Sequence, residues 1–438
     1  MSIPLSNPIN RKMGPASRRP EVLHFPNVEK TQLNNGAQLY LIPGGTQEIV
    51  HLEIVFPAGK WHQAKPEVAS ATAHLLMDGT ATQSRRKIAE FIDGIGGHLK
   101  TRSGTDQGKL LFSGLKKELE AALQLMREIL TAPSFPEAEL QKYLRRSVQE
   151  LKMLETQREW LASRKFSEML YGLEHPYGLS EDAEQIKMVT RNQVVDFYQS
   201  QYQMSQAIMY AAGRVDQKTV ELINKYLGDI LSESVGALNN PSFLILPQAE
   251  KKAFIEVEGA SQCSIILGKR VPTLQQEDSA GLFVLNALLG GFFGSRLMQR
   301  LREEQGYTYN IYSMITDLEK DSYLYISTEV GAEVAEDSLK EIYKAIERLQ
   351  EELMAPAELN LLINYLLGDL MVSMDGPFNQ LRQLEDFISC GVKADYFDNF
   401  AATIRDMNAQ QLQDLARKYL QPDSMYEVLA GKLPNINP

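Results

Sequence analysis

Hydrophobic residues recur with helical spacing in two distant parts of the chain. Between residues 119 and 130 the apolar positions follow the i, i+3, i+4, i+7 spacing of a helix with one buried face, and the same spacing returns between 339 and 349. Each stretch is followed by the tripeptide Ala-Glu-Leu, at 138–140 and at 357–359, with an offset of 219 positions. The pattern predicts a pair of equivalent amphipathic helices.

The two parts of the chain also end alike, each with an amphipathic helix, a short apolar strand and a glycine. These features occupy residues 193–202 and 207–213 in the first case, and 410–420 and 426–431 in the second. Because several features recur in one register, the sequence predicts a tandem duplication. The predicted divisions are a polar N-terminal arm (1–30), a first domain (31–230), a linker rich in turn formers (231–250) and a second domain (251–438).

Strand signals accompany these helices. Asn35 and Gly36 lie between apolar residues and predict a hairpin turn, and residues 49–56 (Ile-Val-His-Leu-Glu-Ile-Val-Phe) predict a strand. Each half therefore mixes strands with long helices. The predicted fold class is α+β, a tandem duplication in which each half is a mainly antiparallel sheet covered by helices on one face.

Composition narrows the class of protein without naming an activity. The 438 residues are 44% hydrophobic and 23% charged, as in ordinary soluble globular proteins, and the net charge of −11 argues against a general nucleic-acid binder. Two cysteines cannot build a disulfide framework, and the apolar runs are too short to span a membrane. Since residues 1–26 lack the continuous apolar segment of a secretory signal, we expect a cytoplasmic protein.

The sequence lacks the motifs of self-contained catalysis. No two of the six histidines stand four positions apart, so neither an HExxH nor an HxxEH zinc helix is present. Neither a GxSxG nucleophile elbow nor a GxxxxGK[ST] phosphate loop occurs, and residues 290–294 (Gly-Gly-Phe-Phe-Gly) lack the spacing of a dinucleotide site. We therefore assign no metal and no cofactor to this chain.

One segment of the second half carries a distinctive signature. Residues 291–313 are Gly-Phe-Phe-Gly-Ser-Arg-Leu-Met-Gln-Arg-Leu-Arg-Glu-Glu-Gln-Gly-Tyr-Thr-Tyr-Asn-Ile-Tyr-Ser. This closely resembles the C-terminal-domain signature of the insulinase/pitrilysin-like metallopeptidases, the inverted zincins that include the mitochondrial processing peptidase. Further matches lie at 33–36 (Leu-Asn-Asn-Gly), 78–80 (Asp-Gly-Thr), 175–178 (His-Pro-Tyr-Gly), 213–216 (Gly-Arg-Val-Asp) and 375–378 (Asp-Gly-Pro-Phe). The resemblance covers nearly the whole chain from about residue 33, and it implies the processing-peptidase-like metallohydrolase fold.

The resemblance implies that the first domain holds a degenerate zinc motif. Active members carry His-x-x-Glu-His shortly before a Gly-Thr. Here the first histidine position is Ser70, the glutamate position is Ala73 and the second histidine position is His74. The family's distant glutamate ligand falls on Glu150. Because a ligand and the general base are replaced, His74 and Glu150 make a poor zinc site. The favoured interpretation of His74 is a packed helix residue, and whether the two residues bind any metal stays open.

The resemblance also implies a substrate-contacting pair in the second domain. In the family an arginine and a tyrosine seven residues later reach toward the substrate, and the matching positions are Arg302 and Tyr309. A guanidinium and a phenol both donate hydrogen bonds without titrating at neutral pH, so they suit the stabilisation of an oxyanion. The alternative is an ion pair of Arg302 with Glu303 and a packed Tyr309. If this segment is a strand, Tyr307 shares a face with Tyr309, which makes Tyr307 a candidate substrate-binding residue.

The family includes two-chain peptidases in which one subunit supplies the zinc motif and the other the arginine–tyrosine pair, and this chain resembles the second kind. The leading hypothesis is a heterodimer with a homologous HxxEH subunit that supplies zinc and the general base. The pair would hydrolyse short peptides, and this chain would be inactive alone. The alternative is a non-catalytic scaffold or peptide-binding protein of the same fold. A homodimer in isolation is a third possibility.

Overall fold

The computed structural model describes residues 24–230, 241–393 and 395–432. The predicted N-terminal arm (1–30) falls largely on residues 1–23, and the predicted linker (231–250) falls partly on 231–240; both of these stretches lie outside the described residues. The described chain forms two sheets with helices packed against them. This architecture confirms the predicted α+β class built from two similar halves.

The described first half forms a sheet with the strand order β1-β2-β6-β3-β5-β4, in which only β2 and β6 pair in parallel. Its strands are β1 (Glu29–Gln32), β2 (Gln38–Pro43), β3 (Ile49–Phe56), β4 (His98–Ser103), β5 (Gly108–Leu115) and β6 (Ile208–Gly213). Its helices are α1 (Val68–Leu75), α2 (Arg85–Gly94), α3 (Leu119–Thr131), α4 (Glu137–Leu154), α5 (Arg158–Tyr171), α6 (Ala183–Lys187), α7 (Arg191–Gln201) and α8 (Gln217–Leu227).

The described second half forms a sheet with the strand order β7-β11-β8-β10-β9, in which only β7 and β11 pair in parallel. Its strands are β7 (Lys252–Glu256), β8 (Gln262–Val271), β9 (Ile311–Asp317), β10 (Ser322–Gly331) and β11 (Tyr426–Gly431). Its helices are α9 (Ser279–Asn286), α10 (Ala335–Glu351), α11 (Pro356–Ser373), α12 (Pro377–Ser389), α13 (Tyr396–Asp406) and α14 (Ala409–Tyr419). Two further helical segments, Ala287–Gly291 and Met298–Glu304, lie between α9 and β9.

The predicted hairpin and strand of the first half are both present. The strands β1 and β2 pair across the turn at Gly36, whose φ of +91° lies in the left-handed region that glycine tolerates. The strand β3 coincides with the predicted one, and Val50, Leu52 and Ile54 of this strand are buried in the core of the first half.

The two halves repeat one another over most of their elements. The helix pair α3 and α4 corresponds to α10 and α11, and α7 followed by β6 corresponds to α14 followed by β11. The helix starts repeat as well. Thr190 before α7 and Asn408 before α14 each form a capping box with a glutamine three residues later. Equivalent helix caps at equivalent positions are expected when a chain arises by tandem duplication.

Each half lends one helix to the sheet of the other half. The helix α5 packs on β8 and β11 of the second sheet, and α12 packs on β2 and β6 of the first. The first cluster includes Ala162, Phe166, Met169, Leu170, Ile266 and Val428. The second includes Ile42, Val55, Tyr210, Ala212, Leu381 and Leu384. On the opposite face each sheet packs against helices of its own half, so helices cover both faces of each sheet and not one face as predicted. The halves are therefore interlocked.

Flanking segments also cross between the halves. Phe25 packs between Phe387 and Phe397, with ring centres 5.8 and 5.6 Å away. Near the start of the second half, the Leu246 N–H donates to the carbonyl of Tyr171 on α5 at 3.1 Å. None of the described helices is long and apolar enough to cross a bilayer.

Candidate functional site

Arg302 lies on the helical segment Met298–Glu304, and its guanidinium contacts two aromatic rings. The guanidinium carbon lies 5.0 Å from the ring centre of Phe293 and 5.4 Å from that of Tyr309. Its Nε also lies 3.4 Å from a carboxylate oxygen of Glu303. The ion pair considered as an alternative is therefore present together with the contact to Tyr309. Such a cation–π contact is worth about 0.5–1 kcal/mol at an exposed site.

Residues 307–310 form a fixed loop between that helical segment and β9, rather than part of a strand. The Tyr307 N–H donates to the Leu301 carbonyl of the helical segment at 2.9 Å, and the Thr308 hydroxyl donates to the Glu329 carbonyl on β10 at 2.7 Å. These bonds hold the loop in place and leave the Tyr309 side chain 89% exposed. The shared strand face that would have joined Tyr307 to Tyr309 is therefore absent, because β9 begins only after the loop.

A cleft of about 450 Å³ opens beside this loop, and both Tyr307 and Tyr309 line it. Other lining side chains include Glu159, Gln262, Asn310, Tyr312, Ser327 and Glu329. Arg158, at the start of α5, donates to Gln262 at 3.1 Å and lies 3.4 Å from Glu329. The helix α5, which packs on the second sheet, therefore closes one side of the cleft. Phenols, hydroxyls, amides and carboxylates are groups that hydrogen-bond a peptide backbone.

The degenerate zinc motif lies in the other half. Ser70 and His74 are on α1, and Glu150 is on α4. Ser70 and Glu150 line one cleft of about 520 Å³, which we call the first cleft. The Glu150 side chain is 62% exposed and pairs with Arg146, one turn earlier, at 3.3 Å. The first cleft therefore brings together two of the three positions that correspond to metal ligands in the family.

His74 is held by packing and by a buried carboxylate. Its ring centre lies 4.7 Å from that of Tyr143, and its Nε2 lies 3.5 Å from Asp78 Oδ2. Asp78 also lies 3.3 Å from Arg85. Burial lowers the pKa of His74 and raises that of Asp78, since each loses water around its charged form. These contacts fit the interpretation of His74 as a packed helix residue.

The residues of the first cleft do not fit a catalytic zinc ion. Such an ion takes three protein ligands and an open water position. Ser70 offers only a hydroxyl, Ala73 offers no general base, and Glu150 is engaged with an arginine. Within the described ranges, no group of three or more His, Cys, Asp or Glu side chains can hold a metal ion.

One buried carboxyl group of the first cleft was not identified from the sequence. Glu67 precedes α1 with a φ of +69°, which is unusual for a residue other than glycine. The Tyr143 hydroxyl donates to Glu67 Oε1 at 2.5 Å, and burial, followed by repulsion from Glu181, raises the pKa of Glu67. Helical spacing could have located Tyr143, which lies two turns before Glu150 on the same face of α4. The backbone of Glu67 has no such signal.

Comparison with family models covers most of both halves. Residues 45–175 match the model described as Insulinase (Peptidase family M16), and residues 188–366 match the one described as Peptidase M16 inactive domain. The chain belongs to the M16 insulinase family. This membership confirms the resemblance carried by the signature at 291–313. It also places the degenerate motif of the first cleft in the part of this M16 chain that matches the insulinase model.

Known proteins of this type align along nearly the whole M16 chain. An uncharacterised zinc protease of Bacillus subtilis is 24% identical over 417 residues, which cover 93% of this chain and 100% of the relative. A protein of Helicobacter pylori named a non-peptidase homologue is 20% identical and covers 83% of this chain and 84% of its own. The crystal structure of a peptidase M16 inactive domain from Pseudomonas fluorescens superposes with a TM-score of 0.83 at 23% identity, covering 94% of this chain and 100% of that one. The structural match shows that the fold is shared.

Proposed function

We propose that this chain is the zinc-lacking subunit of a two-chain M16 metallopeptidase that hydrolyses short peptides. The observation that carries the proposal is the contact between Arg302 and the exposed Tyr309. A tyrosine with a purely structural role would be packed, whereas this one is held by its loop and by a cation with its hydroxyl in solvent. A homologous HxxEH subunit supplies the zinc ion and the general base.

Peptide binding is supported by the edge of the second sheet. Among the described strands, β9 pairs only with β10, so its other side presents unpaired backbone groups next to the 307–310 loop. An extended peptide can add to such an edge as a further strand. Arg302 and Tyr309 then lie beside the bound backbone, where both can donate hydrogen bonds to a carbonyl oxygen. These donors orient the carbonyl and stabilise negative charge on its oxygen.

Contact with a partner is supported by an apolar surface near the pair. Leu361, Tyr365, Gly368 and Val372 follow helical spacing on the solvent side of α11, and we call them the outer stripe. The Tyr365 ring stacks on Phe292 at 4.8 Å. Phe292 adjoins Phe293, which contacts Arg302. The adjacent residues Phe292 and Phe293 therefore link the outer stripe to the arginine–tyrosine pair.

The decisive experiment measures peptide hydrolysis by this chain mixed with an HxxEH homologue from the same genome. We expect turnover only in the mixture. Arg302→Ala and Tyr309→Phe should each lower kcat by about 10²–10³-fold at an oxyanion-stabilising position, without weakening assembly. Arg300→Ala is the matched control, because Arg300 lies on the same helical segment but pairs with Glu304 and Glu341. Full turnover by the Arg302→Ala complex contradicts the proposed role.

A second candidate function is a scaffold or peptide-binding protein without catalysis. The observation that favours it is the degenerate motif of the first cleft, which leaves the chain without a zinc ligand set of its own. It is also supported by the relative named a non-peptidase homologue. The test is a quenched peptide library offered to the complex and to the HxxEH homologue alone. A stable complex that hydrolyses no peptide, with a homologue that also hydrolyses none, favours this function.

A further inference from the structure

The glycine-rich segment at residues 290–294 is packed closely against the second half. A Cβ atom on Gly290 would lie 2.5 Å from a backbone nitrogen of β9, and one on Gly294 would lie 2.6 Å from the ring of Phe292. Both distances are too short for a side chain, and glycine is the residue that permits such close approach. The glycines therefore fix the path of the chain on each side of Phe292 and Phe293.

The two phenylalanine side chains of this segment have different surroundings. Phe292 packs against the core of the second half and stacks on Tyr365 of α11 at 4.8 Å. Phe293 is 62% exposed, and its ring centre lies 5.0 Å from the guanidinium carbon of Arg302, within the range of a cation–π contact. Phe292 thus anchors the segment, whereas Phe293 contacts a cation instead of the core.

The neighbouring arginines are held in a different way. Arg296 donates to a glutamate of α11 at 2.7 Å, and Arg300 donates to two glutamates at 2.6 Å each. Arg302 lies 3.4 Å from Glu303, but no hydrogen bond links its guanidinium to another residue of the described chain. Its side chain is still only 32% exposed. A ring contact holds a cation without committing its N–H groups to an acceptor, so these groups stay available as donors.

We propose that Phe293 is a positioning residue, which holds the Arg302 guanidinium in place while its donor groups stay free for the substrate carbonyl. Phe293 acts through Arg302, because a phenyl ring has no hydrogen-bond donor of its own. A carboxylate in its place would also hold the cation, but it would engage the N–H groups and offset the charge that stabilises an oxyanion. The inference rests on the proposed function, since it concerns the same arginine–tyrosine pair.

The first test needs neither a partner subunit nor hydrolysis. The chain alone is labelled with ¹⁵N at the arginine Nε atoms, and the Arg302 signal is identified as the one that Arg302→Lys removes. We expect Phe293→Leu to shift this signal, because the ring current is lost, and to increase its fast motion in ¹⁵N relaxation. Phe293→Tyr, which keeps a ring, should restore both properties.

The controls for this test lie in the same chain. The Arg300 signal should stay unchanged in Phe293→Leu, because carboxylates hold that residue. Phe254→Leu, which changes a partly exposed phenylalanine on β7, should leave the Arg302 signal as it is. An Arg302 signal that is as rigid in folded Phe293→Leu as in the natural chain overturns the proposal.

The second test measures hydrolysis by the mixture with the HxxEH homologue. Phe293→Leu should lower kcat by about two- to fivefold with an unchanged KM, and Phe293→Tyr should restore kcat. In the Arg302→Ala background, Phe293→Leu should lower kcat no further, because the residue through which it acts is gone. Equal losses in both backgrounds overturn the proposal. A natural mixture that hydrolyses no peptide contradicts the proposed function instead, and the spectra of the chain alone still decide whether Phe293 holds Arg302.

Discussion

Two carboxyl groups, those of Glu53 and Glu385, lie buried where α12 packs on the first sheet. His51 Nε2 lies 2.7 Å from Glu53 Oε1, and the Lys109 ammonium pairs with Glu385. Burial, followed by repulsion from Glu53, raises the pKa of Glu385 to about 7. Burial opposes the charge on Glu53 most strongly, but the hydrogen bonds with His51 and Glu385 and the positive charges of His51 and Lys109 together outweigh it and lower that pKa. Glu385 is thus the member of the pair that takes up a proton near neutrality.

This arrangement makes stability depend on pH. A carboxyl group whose pKa is higher in the folded than in the unfolded chain binds extra protons in the folded state. The contribution of Glu385 to stability therefore falls as the pH rises from 4.5, the ordinary pKa of a glutamate, to about 7, its pKa in the folded chain. Glu385→Gln removes that dependence. We expect the stability of this variant, relative to the natural chain, to increase between about pH 5 and pH 8 by an amount on the order of 1–3 kcal/mol. Urea unfolding at several pH values measures it.

Glu347→Gln provides the control for this titration, because Glu347 is an exposed residue on α10. Its unfolding free energy should run parallel to that of the natural chain at every pH. If the Glu385→Gln curve also runs parallel, the proton is not bound at Glu385.

At the scale of helices and strands, α5 and α12 each pack on the sheet of the other half, so we expect the two halves to unfold together. Leu381 of α12 is 2% exposed and lies against the first sheet. Leu381→Ala should lower the free energy of unfolding by about 2–4 kcal/mol, because it removes buried contacts and leaves a cavity. Since the helix joins both halves, we expect one transition, with tryptophan emission and far-UV circular dichroism shifting together. Arg382→Ala, the exposed neighbour on α12, serves as control and should change stability little.

Two separate transitions in the Leu381→Ala variant would show that the halves unfold independently. Trp160 packs against the core of the first half and Trp61 lies in the cluster between α5 and the second sheet, so their emission reports on the first half and on its contact with the second, whereas circular dichroism reports on the whole chain. A change in only one of the two signals would therefore contradict the coupling.

The elements themselves were largely predictable from the sequence, but the packing of α5 and α12 on the sheet of the other half was not. Helical periodicity located α3, α10, α7 and α14, and the Asn-Gly turn located the first hairpin, because these signals are local. The periodicity of α5 or α12 shows that one face is buried without showing which sheet covers it. Likewise, the tyrosine-rich segment before β9 has the composition of a strand, yet Gly306 with a φ of +65° turns the chain and delays the strand.

The candidate site was predictable to a different extent in each half. The resemblance identified Arg302 and Tyr309, and the structure brings their side chains into contact. The sequence did not identify Phe293, whose ring centre lies 5.0 Å from the guanidinium carbon. It also could not identify Glu67, because a left-handed backbone at a glutamate depends on tertiary packing and leaves no local pattern.

At the scale of the whole molecule, the duplication has produced two unlike surfaces from equivalent helices. The outer stripe of α11 corresponds, at the offset of 219, to Lys142, Arg146, Gln149 and Met153 on α4. The same face is thus mostly polar in the first half and apolar in the second, where Leu361 is 60% and Val372 68% exposed. Because both helices serve the same role inside their halves, folding alone does not account for the difference. The proposed partner subunit would account for it by covering α11.

This contrast yields a matched test of assembly. The double variant Leu361→Ser and Val372→Ser should weaken association with the HxxEH homologue by at least about tenfold, since each exposed apolar side chain buried in an interface contributes on the order of 1 kcal/mol. The control is Lys142→Ser with Met153→Ser, which makes the equivalent changes on α4 and should leave the affinity unchanged. Sedimentation velocity of the mixtures measures the affinity of both double variants.

Equal affinity of the outer-stripe variant and the natural chain would show that the partner binds elsewhere. A loss seen equally in both double variants would point to a general effect on folding, and unfolding curves of the separate chain would identify it.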